Sequence, residues 1–154
     1  MSGSRGVKQV FVTGLTANDA SPKDQPGDIR WDGNKCYKYI QYKVGSGTVA
    51  AVAASTVVYT DVMYPLHQVT MDQTDGKICA GVLQAALAAD YYGWIQIKGP
   101  CTLAAALTAG ADGDALTVTG SSDGTLDVSA SVVDHIAGYA IDISAKQILL
   151  DCPY

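Results

Sequence analysis

The chain has 154 residues, a hydrophobic fraction of 48% and a net charge of −5, which fits one folded domain with its own core and argues against a disordered chain. All 15 acidic residues are Asp; with no Glu and few other long polar residues, helix surfaces lack their usual material and a helical bundle is disfavoured. The absence of Glu excludes any Glu acid, base or metal ligand, and a pI near 4.6 disfavours wholesale binding to a phosphate backbone.

Met1 to Lys8 has no apolar run of the secretory kind, and the longest aliphatic stretch, Val49 to Ala54, is far short of the roughly 20 residues that cross a bilayer. No membrane partner is therefore expected. Val7 to Leu15 reads as a strand with apolar residues on both faces: Val7, Phe11 and Leu15 alternate with Val10 and Val12. Such a strand needs cover on both sides. Val7, Val10, Phe11, Val12 and Leu15 are accordingly expected to be buried by a neighbouring subunit or a larger surface. Asn18 to Asp28 carries two Pro, one Gly and three Asp and reads as a loop. Residues 1–34 thus form an N-terminal arm and polar loop, and 35–154 a body.

Lys35 to Val44 is strongly strand-like. Lys35, Tyr37, Tyr39, Gln41 and Lys43 share one face, and Cys36, Ile40, Tyr42 and Val44 share the better core face, where Lys38 is the exception. Further strands are expected at Thr56 to Tyr59, Gln68 to Met71, Ile78 to Leu83 and Tyr91 to Lys98. In the last, Ile95 and Ile97 point inward and Trp94 opposite. Leu116 to Thr119, Leu126 to Val128, Ala137 to Ile143 and Gln147 to Cys152 follow, separated by Gly, Pro and Asp-Gly turns. This spacing predicts an all-β fold, a small antiparallel barrel or sandwich with an extended N-terminal arm. The Ala-rich stretches 80–89 and 103–111 are the places where a helical turn could intrude. Charge is uneven: residues 1–77 hold eight Lys/Arg against seven Asp, and 78–154 hold two Lys against eight Asp.

Catalytic patterns are weak. Gly120-Ser-Ser-Asp-Gly124 matches a nucleophile elbow in form, with Ser122 and a downstream His135, but a strand follows where that motif needs a helix. Asp112, Asp114, Asp123 and Asp127 lack the Glu and spacing of a calcium loop and read as hairpin corners. His67 and His135 have no ligand spacing. The four cysteines, Cys36, Cys79, Cys101 and Cys152, form no C-x-x-C and are expected to be buried reduced thiols. No enzyme, cofactor, metal or small-molecule substrate is expected. Tyr37, Tyr39 and Trp94, on outward strand faces, suit a protein interface or a sugar-stacking surface.

Gly27-Asp-Ile-Arg-Trp-Asp-Gly-Asn-Lys-Cys-Tyr-Lys-Tyr-Ile-Gln41, Gly81-Val-Leu-Gln, Tyr92-Gly-Trp-Ile-Gln-Ile-Lys-Gly99, Gly113-Asp-Ala-Leu116 and Ile148-Leu-Leu-Asp151 together resemble the capsid decoration (cement) proteins of tailed bacteriophages. The resemblance spans roughly residues 27–154 and rests on strand and turn patterns. It implies a small β-rich module, commonly a homotrimer, that sits on the outer capsid surface of the virion, binds the major capsid protein and is assembled in the host cytoplasm. It implies no nucleic acid and carries over no site residue. A carbohydrate-binding or adsorption module on the virion is the alternative.

Overall fold

A computed structural model describes residues 10–45, 51–61, 67–74, 76–118 and 122–154. Among the described residues there is no helix, and 45% lie in strands. The elements are β1 (Ile29–Asp32), β2 (Lys35–Tyr42), β3 (Ala51–Val52), β4 (Val57–Asp61), β5 (Gln68–Thr70), β6 (Gly76–Leu83), β7 (Leu87–Ala88), β8 (Tyr92–Thr102), β9 (Ala115–Val118), β10 (Leu126–Val128), β11 (Gly138–Asp142) and β12 (Gln147–Asp151).

Five strands close a barrel in the order β2-β5-β4-β6-β8, with β8 returning to β2. Strand direction cannot alternate around a ring of five, so one neighbouring pair must be parallel. That pair is β2–β5, with Gln41 beside Gln68 and Tyr42 beside Val69. Strand β8, 11 residues long, is shared between the barrel and the outer part of the same sheet. Tyr92 to Gln96 pairs with β2 and β6, while Lys98 to Thr102 pairs with β12. From β12 the sheet continues through β11, β9 and β10 as a wing. The hairpin strand β1 adds to β2, and β3 pairs with β7 as a separate two-stranded ribbon.

The alternation read from the sequence holds in β2 and β8. Cys36, Ile40, Tyr42, Ile95 and Ile97 enter the main core, and Tyr37, Tyr39 and Trp94 lie on the other side. In β4, consecutive Val57, Val58 and Tyr59 are all buried, so both faces are covered. The inside faces the barrel. Across the outside runs the turn entering β10, with Val57 N–H donating to the Gly124 carbonyl (3.1 Å) and Tyr59 Oη donating to the Thr125 carbonyl (2.6 Å). In the wing, Gly138 lets β9 and β12 close around β11: a Cβ there would stand 2.1 Å from the Leu149 carbonyl oxygen.

One open point is settled and one expectation changes. The Ala-rich stretches hold no helix: 80–83 belong to β6, 87–88 form β7, and 103–111 is an irregular loop pinned by buried Leu103 and Leu107. Nor is the described part of Val7 to Leu15 a strand. Residues 10–20 run over the body with every second residue turned inward, tied by one bridge between Asp19 and Tyr92. Period-two burial here comes from an extended segment lying on a sheet face, not from a ladder. Val7 lies outside the described residues.

Candidate functional site

The outer face of β2 and β8 gathers most of the residues that the sequence singled out. Tyr39 and Trp94 are directly opposed in the register, their rings 5.2 Å apart, and Tyr92 stacks on Tyr39 at 6.3 Å. Phe11 meets Trp94 edge-on at 5.2 Å and 85°. Phe11 and Leu15 pack on this cluster within their own chain. The covering segment is fixed by polar contacts. Trp94 Nε1 donates to Thr13 Oγ1 (3.0 Å), and Tyr39 Oη donates to Asp19 (3.2 Å). Asp24 accepts from Val12 N–H (2.9 Å), Thr13 N–H (3.1 Å) and the Thr13 hydroxyl (2.6 Å). The Arg30 guanidinium lies 5.6 Å from the Phe11 centroid.

The expected outward platform is therefore closed. Tyr37, Tyr39 and Trp94 are buried beneath residues 11–19, and burial pushes the Tyr39 phenol up to about 12. Neither a sugar nor a partner can stack on these rings while that cover is in place. The reason is physical: a face of two Tyr and a Trp is too apolar to leave in water, and the same chain supplies the lid. Only the alternate residues Val10 and Val12, 80% and 73% exposed, remain on the outside.

The largest group of exposed apolar side chains lies instead on the wing. Tyr139 and Leu149 are directly opposed on β11 and β12, and Ile141 follows on the same face; their exposures are 48%, 44% and 45%. In the loop between β10 and β11, Val132 and Val133 also stand in solvent. The loop is rigidly built. The Asp134 carboxylate accepts from Ser131 N–H (2.9 Å), the Ser129 hydroxyl (3.1 Å) and Ala130 N–H (3.0 Å). Chief among these, the Ser131 N–H holds that carboxyl below its ordinary value. The alternations Tyr139-Ala-Ile141 and Ile148-Leu-Leu150 carry this surface in the sequence, but alternation alone leaves open which face is covered.

The four candidate Asp carboxylates accept backbone hydrogen bonds; Asp112, Asp114 and Asp123 sit at turns as expected, whereas Asp127 lies within β10 and is not a hairpin corner. Asp112 accepts from Ile143 N–H, Asp114 from Ala111 N–H, Asp123 from Gln73 N–H and Asp127 from Val128 N–H. Ser122 enters a turn before β10, with no helix after it. Among the described residues no group of three or more His, Cys or Asp could hold a metal, and no helix is long and apolar enough to cross a membrane. The four cysteines are free thiols. Cys152 donates to the Cys79 sulfur at 3.2 Å, and that hydrogen bond, with burial, raises the Cys152 thiol. No family model, curated protein or solved structure matches the chain.

Proposed function

We propose that the protein is a structural virion component that binds the outer surface of an icosahedral phage capsid and stabilises contacts between capsomers. The observation that carries this reading is the apolar face of Tyr139, Ile141 and Leu149, with Val132 and Val133 also exposed in the loop before β11, on a body whose candidate Asp carboxylates accept backbone hydrogen bonds. Apolar patches of this kind on otherwise polar surfaces suit protein contacts. The strand and turn resemblance of residues 27–154 to decoration proteins supports the same reading.

Such a protein works by linkage: binding the assembled shell and not its dissociated parts stabilises assembly by mass action. As a homotrimer on a lattice three-fold it would multiply three weak contacts through effective concentration. The acidic half of the sequence, with eight Asp against two Lys over residues 78–154, would keep the remaining surface solvated.

Cosedimentation with expanded shells of the major capsid protein tests the reading. Wild-type protein should pellet with shells and raise their melting temperature. The double substitution Tyr139→Asp and Leu149→Asp, at two exposed positions, should leave the fold intact and reduce occupancy about tenfold or more, as expected when central apolar contacts are lost. Wild-type occupancy in the double variant would overturn the assignment of the face. Failure of the wild-type protein to bind shells would overturn the function.

A further inference from the structure

Cys79 lies in β6 of the barrel and Cys152 just after β12 of the wing, 73 positions apart in the chain. Packing nevertheless brings their sulfurs to 3.2 Å, with Cys152 donating to Cys79. Both backbones are held where they stand. Cys79 is paired with Tyr59 of β4, and Cys152 N–H donates to the Ile97 carbonyl (2.9 Å). A disulfide needs its sulfurs at about 2.05 Å, so these two have only to close the gap from 3.2 Å. Cys101 is the third thiol of the region and is felt by both sulfurs, but the direct sulfur contact joins Cys79 and Cys152.

Both cysteines are buried, yet a cavity of about 200 Å³ is lined by the two of them together with Lys98, His135, Ile136 and Asp151. His135, Ile136 and Asp151 are exposed, so the cavity reaches the surface. One water needs only about 10–15 Å³ of such space, and hydrogen peroxide is little larger than water. The hydrogen bond to Cys79 and burial keep the Cys152 thiol protonated. The Lys98 ammonium, which would favour a thiolate, is paired with Asp151. The pair therefore persists as two thiols in a reducing medium and reacts slowly in an oxidising one.

We propose that Cys79 and Cys152 are a latent cross-link, closed to a disulfide by a small peroxide, that fastens the C-terminal end of the wing to the barrel. The Cys152 S–H supports a thiolate on Cys79, which attacks one peroxide oxygen. The O–O bond breaks, hydroxide leaves and Cys79 becomes a sulfenic acid. The Cys152 sulfur then attacks the Cys79 sulfur; the S–S bond forms, the S–O bond breaks, and the oxygen leaves as water with the Cys152 proton. In sum two thiols give up two hydrogens and one peroxide becomes two waters. The loop so closed is long, and closing long loops restricts the unfolded chain most. The cross-link is a property of the chain alone, and its formation is independent of capsid binding.

Treating the reduced full chain with excess hydrogen peroxide at neutral pH, then alkylating and digesting it with trypsin, tests the cross-link. The four cysteines fall in four separate tryptic peptides, with Cys79 in 78–98 and Cys152 in 147–154. Those two peptides should appear joined, and the intact protein should be two hydrogens lighter. The melting temperature should rise by about 5–10 °C, as expected when a long loop is closed without strain. Dithiothreitol should reverse both changes. Cys152→Ala should abolish the joined peptide and the rise, whereas Cys101→Ala should keep them. Peptides 78–98 and 147–154 recovered unlinked, a link that runs to Cys101 instead, or Cys79 carried to sulfinic acid without a link would each overturn the proposal. A link that forms with no rise in melting temperature would overturn its fastening role. The joined wild-type peptide and its reversal by dithiothreitol need no variant, so the test stands even where Cys152→Ala does not fold.

Discussion

The Tyr59 hydroxyl, fully buried, donates to the Thr125 carbonyl at 2.6 Å and accepts from Thr125 N–H at 3.2 Å. One oxygen thus satisfies both polar groups of a residue in the turn that crosses β4. Burial drives the phenol above its ordinary value, so at neutral pH it is a neutral donor. Tyr59→Phe keeps the ring and removes only this oxygen, leaving a buried N–H and C=O without partners. The expected loss is about 1–3 kcal/mol. It should appear in urea denaturation as a lower midpoint with an unchanged slope; a midpoint within error of wild type would mean that water replaces the hydroxyl.

At the scale of the element, residues 10–20 act as a lid whose latch is Asp24. Burial works to raise that carboxyl, but the Thr13 hydroxyl, the Val12 and Thr13 N–H groups and Arg30 outweigh it and hold it below 3.8. A depressed folded-state pKa contributes stability that is fully present above 3.8 and is lost as pH falls through the lower, folded value. In a Trp31→Phe background, the emission of buried Trp94 should therefore shift to the red as the solution is acidified below 3.8. Asp24→Asn should show that shift already at neutral pH, with a weaker acid transition. An identical acid profile in Asp24→Asn would place the latch elsewhere. This lid was half legible in the sequence. The sequence set Phe11 and Leu15 on one face and Val10 and Val12 on the other and expected a partner to cover both; the chain's own body takes the first face and leaves the second in solvent, because an extended segment on a sheet and a strand within one share the same period. Strands β1, β3 and β7, of two to four residues, are too short to carry a period at all. By contrast the long strands β2 and β8 declared both faces, and Lys38 stood out as the one residue that broke the pattern.

For the whole molecule, the shared strand β8 decides how the parts depend on one another. Its first half closes the barrel against β2 and β6, and its second half carries the wing through β12. The sequence located the first half of this strand, Tyr91 to Lys98, but read Lys98-Gly-Pro as a turn where the strand in fact runs on to Thr102; its double membership was hidden as well, because pairing partners far apart in the chain leave no local period. Several further links cross the same boundary: Cys152 N–H donates to the Ile97 carbonyl (2.9 Å), Leu103 N–H to the Lys146 carbonyl (2.9 Å) and Val57 N–H to the Gly124 carbonyl (3.1 Å). Core residues of both parts, from Ile40 to Leu150, form one continuous cluster. Losing the wing would expose Ile148 and Leu150 together with the barrel residues beneath them, so neither part has a separate core to fall back on. Barrel and wing should therefore open as one cooperative unit. Native-state hydrogen exchange checks this directly. The slowest amides of Tyr39 and Ile95 in the barrel and of Leu150 in the wing should give the same opening free energy, equal to that of global unfolding by Trp94 fluorescence. A Leu150 amide that exchanges through an opening lower by more than about 1–2 kcal/mol, beyond ordinary local variation, would show that β8 releases the wing while the barrel stays closed.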